Sequence, residues 1–193
     1  PEMTERPTVW FRPLWLALLI IAIAALTTGY TCITPFAAFA VIAATTLSRR
    51  DAVILTVALW LTNQVVGFGV LNYPWTASTF AWGVAIGAAA VIGTLAAQWA
   101  VRRLAAANIL ARMTAGFVAA FALYEIALYV VAVSMLGGTE AFAPAIVGQV
   151  LFANAVTLVG LVALHQLVVI GTLVLSRRRH AQASPVRPAY RRA

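Results

Sequence analysis

RRDAVILTVALWLTNQVVGFGVLNYPWTASTFAWGVAIGAAAVIGTLAAQWAVRR, residues 49–103, is the stretch on which the fold turns. Two apolar runs stand back to back, each close to the ~20 residues that a helix needs to cross a bilayer core. Arg49-Arg50 precede the first run and Arg102-Arg103 follow the second, while the connection between them, residues 72–78, carries no charge. Arginine in a short loop resists translocation across an energised membrane, so both arginine pairs belong on the cytoplasmic side and the connection on the other.

The same alternation extends in both directions. All thirteen basic residues are arginines. If six apolar stretches are taken as spans, Arg6 and Arg12 precede the first, Arg112 joins Arg102 and Arg103 between the fourth and fifth, and Arg177, Arg178, Arg179, Arg187, Arg191 and Arg192 follow the sixth. The three opposite connections hold none. The expected fold is therefore all-α: a polytopic membrane protein with six transmembrane helices and both termini cytoplasmic.

The spans read as residues 11–29, 33–47, 52–71, 79–101, 113–136 and 145–176. Residues 1–10 form a cytoplasmic N-terminal segment. Residues 177–193 form a basic tail without apolar periodicity, expected to be disordered. The second span is short, so it either tilts little or is partly buried by its neighbours; Thr34-Pro35 read as its N-cap and first position. The sixth is long enough to tilt or to project into the cytoplasm. Residues 108–112 read as a short amphipathic surface helix. Tyr30, Tyr73, Trp75 and Trp82 are expected in an outer aromatic belt, and Trp10, Trp15 and Trp99 in an inner one.

Composition excludes other classes. Charged residues are 9% of the chain and hydrophobic residues 63%, against about 25% charged in a soluble domain. The net charge of +8 is spread over loops and the tail and forms no nucleic-acid footprint; anionic lipid is its natural counter-charge. Abundant alanine and absent lysine point to a bacterial chain of the inner membrane. Cys32 is the single cysteine, which rules out an internal disulfide or a cysteine cluster. No hydrolase, metalloprotease or phosphate-loop motif occurs, so no enzymatic activity, metal or cofactor is expected. His165 alone holds neither a haem nor a metal ion.

Glu125 is the one acidic residue inside a span. Facing lipid it would cost roughly 2.5–3.5 kcal/mol on insertion scales, so it is expected to face protein or a cavity. Tyr129 lies four residues on and is placed to hydrogen-bond it. Asn63 and Asn154 lie near mid-depth in the third and sixth spans, and Asn154, Thr157, Leu161 and His165 share one helical face. Two readings stand side by side: the amides and Glu125 converge on one polar pocket under Trp75 as an aromatic lid, or each makes a separate interhelical hydrogen bond. Gly83, Gly87, Ala90, Thr94 and Ala97 form a ridge of small residues, which packs inside the bundle or docks another subunit together with Arg177, Arg178 and Arg179.

The segment Thr34-Pro35-Phe36-Ala37-Ala38-Phe39-Ala40, running to Ser48-Arg49-Arg50-Asp51 and then an apolar span, resembles the second-to-third span passage of the substrate-binding (S) components of energy-coupling factor transporters and of related S-component-like membrane proteins. The resemblance spans roughly residues 16–170. It implies a small-molecule uptake component that binds a vitamin or cofactor precursor from outside, with a coupling subunit and two ATPases as partners. Two features depart from the family: the Ala-x-x-x-Ala ridge of the first span is interrupted here (Ala17, Ile21, Ala25), and the first outer loop is very short. The other function expected is a structural or assembly subunit of a larger bacterial membrane complex, respiratory or photosynthetic.

Overall fold

The computed structural model describes residues 11–29 and 34–183. Among them run six α-helices, α1 (Phe11–Gly29), α2 (Phe36–Thr46), α3 (Arg49–Gly69), α4 (Ala77–Arg103), α5 (Ile109–Val131) and α6 (Pro144–Ala183), and no strand. A π-helical turn, Ala132–Leu136, extends α5, and a 3-10 turn, Thr139–Phe142, leads into α6. Four helices, α3, α4, α5 with its π turn and α6, are long and apolar enough to cross a membrane. Large apolar side chains such as Val65, Leu110, Val118, Phe152 and Val159 stand exposed along them. Water would oppose so much bare apolar surface, and lipid accepts it; these helices fit a membrane protein.

Local chemistry sets the helix starts. Ser48 caps α3, its hydroxyl accepting from the Asp51 amide at 3.2 Å and donating to the Asp51 carboxylate at 2.6 Å. Thr76 caps α4 by accepting from the Thr79 amide at 3.2 Å. Asn108 caps α5 by accepting from the Ala111 amide at 2.8 Å. Residues 109–112 are thus the first turn of α5 and not a separate surface helix.

The arrangement centres on α2. Its eleven residues span about 16 Å, half of a ~30 Å hydrocarbon core. Phe36 through Ala43 are all buried, because α3, α4, α5 and α6 all pack against this one short helix. Of the two readings of the short second span, burial by neighbours holds. α1 lays Trp15, Leu19 and Ile23, spaced four residues apart, into the same core beside Phe39, Leu55 and Leu161. Trp15 is 1% exposed and its indole N–H donates to Thr46 Oγ1 at 3.3 Å. It is a core residue and not the interfacial anchor its position near an arginine implied. Trp99 does stand exposed, with Arg103 over its ring at 5.4 Å. Trp10 and Tyr30 lie outside the described residues.

The small-residue ridge of α4 is consumed within the chain. Trp60 of α3 lies against Gly87 and donates its indole N–H to the Gly83 carbonyl at 2.8 Å. A Cβ at Gly87 would stand 2.8 Å from the Trp60 ring, and one at Gly83 2.7 Å from Gln64 Oε1. Thr94 meets Thr56 hydroxyl to hydroxyl at 2.8 Å, and Ala97 packs with Ala37, Ala40 and Ala120. Of the two readings of the ridge, packing inside the bundle describes Gly83 and Gly87, which face α3 of their own chain. α6 continues as helix to Ala183, past the boundary expected at Ser176, so Arg177, Arg178 and Arg179 lie on helical backbone rather than in an irregular tail. Residues 184–193 lie outside the described residues.

Candidate functional site

Two of the buried amides of the bundle, Asn63 and Asn154, meet where α2 begins. Pro35 is buried and stands at the N-cap, where it offers no side-chain cap to the helix. Thr34, expected as that cap, instead accepts from Asn63 Nδ2 through its hydroxyl at 2.8 Å. A helix starting inside a dry core must find acceptors for its first amides within the protein. Here the Phe36 amide donates to the Thr34 carbonyl at 2.9 Å, and the Ala38 amide to the Pro35 carbonyl at 3.1 Å. The Ala38 amide is shared with Asn154 Oδ1, at 3.2 Å, from α6. Asn154 is 2% exposed and steadies its own amide by donating from Nδ2 to the Val150 carbonyl at 2.9 Å. Asn63 is 5% exposed, and its Oδ1 accepts from Gln64 Nε2 at 3.3 Å.

Asn63 of α3 and Asn154 of α6, read from the sequence as mid-depth groups, are therefore both brought to the first turn of α2. Each makes an interhelical hydrogen bond there. Tyr124 of α5 approaches the same turn, its ring centroid 6.0 Å from that of Phe36. Glu125, the next residue, is half-buried, and its carboxylate makes no hydrogen bond or ion pair among the described residues. Thr157 and Leu161 continue the buried face of α6 below Asn154. His165 meets Trp15 edge to face at 5.0 Å.

Two expected members lie elsewhere. Tyr129 is exposed and turns its ring edge to face on Phe142 at 5.3 Å, so the anticipated hydrogen bond to Glu125 does not form. Four residues along a helix place two side chains on one side, yet the Tyr129 ring lies against Phe142 of the α5–α6 connection. Trp75 sits in the α3–α4 connection, 76% exposed, against Phe68 at 5.2 Å and Phe80 at 5.8 Å. Its cluster belongs to the end of α3 and the start of α4.

Sequence reasoning passed over Thr34's hydroxyl as a hydrogen-bond partner, and over Gln98, a buried amide in α4. The signal for Gln98 was present: an amide four residues before Arg102 in an otherwise apolar run. Among the described residues no group of three or more His, Cys, Asp or Glu side chains is placed to hold a metal ion. Comparison of the chain with protein-family models, with curated proteins and with solved structures finds no match.

Proposed function

We propose that this chain is a bacterial inner-membrane component that binds a small polar solute and takes part in its uptake, without enzymatic activity of its own. The chain passes the membrane six times with both termini cytoplasmic, and α2 supplies only the inner half of the second pass. The one-sided arginines support that orientation. The carrying observation is the buried start of α2, where Asn154 reaches the Ala38 amide, Asn63 reaches Thr34, and Tyr124, the neighbour of Glu125, approaches Phe36. Broken or half-length helices at the membrane midplane mark binding sites in transporters, because their first amides and positive dipole end face the substrate. An intramembrane carboxylate without a protein partner is a functional group by default. In this reading the solute is a vitamin or cofactor precursor, as for S components of energy-coupling factor transporters, and a coupling subunit with ATPases drives its release. Asn63, Asn154 and Glu125 anchor the solute.

Native mass spectrometry of gently extracted protein tests this. A small-molecule adduct should be retained by the parent chain and lost in Glu125→Gln and Asn154→Ala. An adduct kept by both variants, or none at all alongside a stable redox or pigment assembly, would sink the uptake reading. One observation favours the second reading, a structural or assembly subunit. α6 leaves Phe152, Val159 and Leu167 exposed along a 31-residue apolar stretch, which suits a neighbouring subunit as well as lipid. Replacing Arg177, Arg178 and Arg179 by alanine would then release the partner chains.

A further inference from the structure

At the arginine-bearing end of the bundle, the start of α3 and the last turns of α4 enclose a pocket of about 340 Å³ lined by Arg49, Leu95, Gln98, Trp99, Arg102 and Arg103. Three arginines line it and no acidic residue does. Gln98 is 4% exposed, and both its Oε1 and its Nε2 are buried without a hydrogen-bond partner. A buried amide is almost always satisfied, so one without partners in a residue that lines a pocket indicates a polar group that belongs beside it. Its needs are specific: Nε2 requires an acceptor and Oε1 requires a donor.

Beside this pocket lies a second space of a different kind. A groove of about 1120 Å³ runs between α4 and α5, floored by alanines such as Ala96, Ala100, Ala115 and Ala119. Trp99 and Arg103 line both spaces, so a single molecule can lie across the divide with a polar end in one and an apolar chain in the other. The Arg103 guanidinium sits over the Trp99 ring, which holds that dividing wall in place.

We propose that this pair of cavities is a binding site for an anionic phospholipid of the cytoplasmic leaflet. The phosphate pairs with Arg49, Arg102 and Arg103 and accepts from Gln98 Nε2. A head-group hydroxyl, as in a glycerol head group, donates to Gln98 Oε1, and an acyl chain fills the alanine-floored groove. Guanidinium matches phosphate geometry in a way that a diffuse surface charge does not, and basic pockets between helices at this face are the usual home of acidic lipid head groups. The site rests on membrane insertion and the arginine-inside orientation, and is independent of any solute bound above α2.

The test is native mass spectrometry of delipidated protein in a nonionic detergent, offered phosphatidylglycerol and phosphatidylcholine at equal concentration. Phosphatidylglycerol should be retained about tenfold more than phosphatidylcholine, a preference of the size one well-formed charged contact provides. Gln98→Leu and Arg102→Gln should each lower that preference severalfold. Arg50→Gln removes the same charge from an exposed residue outside the pocket and should leave it unchanged. Equal retention of the two lipids by the parent chain, which needs no variant to fold, would overturn the proposal. So would an equal loss in Arg50→Gln, which would reduce the effect to net charge. Displacement of the lipid by soluble glycerol phosphate would also overturn it, by assigning the pocket to a free phosphate compound.

Discussion

α2 and α6 are the two extremes of one bundle. Both are strongly apolar, neither has an amphipathic pattern, and a hydropathy plot treats them alike. Yet α2 is eleven residues long and buries Phe36 through Ala43 without a break, whereas α6 is forty residues long and, among its described side chains, buries only Ala153, Asn154, Thr157 and Leu161. α2 is too short to meet lipid across the full core and needs four neighbours around it. α6 is long enough to stand in lipid on its own and touches the bundle along one stripe. The lesson is that apolar character in a membrane chain reports tolerance of a dry environment, whether protein or lipid supplies it.

The sharpest break of that comparison is a pair of phenylalanine truncations. Phe39→Ala opens a void in the packed centre and should cost about 3–5 kcal/mol, while Phe152→Ala, 72% exposed on α6, should cost well under 1 kcal/mol. Unfolding titrations in mixed micelles measure both, and comparable losses would remove the distinction between the helices. A smaller effect is expected at the wall that α3 and α4 build beside α2. Gly87→Leu drives a side chain into the Trp60 ring and pulls its N–H off the Gly83 carbonyl, for about 1–3 kcal/mol. Displacement of Trp60 should appear as a shift in tryptophan emission; an unmoved spectrum with full stability would mean that the ridge faces outward. The smallest effect sharpens the one place where α6 does engage α2. Asn154→Leu removes the hydrogen bond to the Ala38 amide, which keeps its bond to the Pro35 carbonyl. About 0.6 kcal/mol is expected, the average for an interhelical bond in a membrane protein. A loss several times larger would show that α2 depends on α6 for its first turn.

Much of the architecture was legible beforehand. The start and end of α1 match the sequence reading, and α4 differs from it by two residues at each end. Arginines, caps and turn residues mark those ends directly. The candidate site was legible in part. Asn63 and Asn154 do meet one helix end, because a buried amide in an apolar span has few places to go. Tyr129 and Trp75 do not join them, since an aromatic residue near a helix end is equally content on a neighbouring ring. Gly83 and Gly87 read correctly as points of close approach, but spacing could not say which helix approaches.

What residue types and their order settled was the helical, lipid-compatible character of the described residues. This follows from transfer free energies, which depend on each segment alone. Only the tertiary structure decided that α2 lies at the centre, that Trp15 is interior, that the α4 glycines receive Trp60, and that Gln98 is left with both ends of its amide open. These are questions of shape and partner, and lipid and protein interior are nearly equal as apolar media. Hydropathy therefore carries no information about which of the two a side chain will meet.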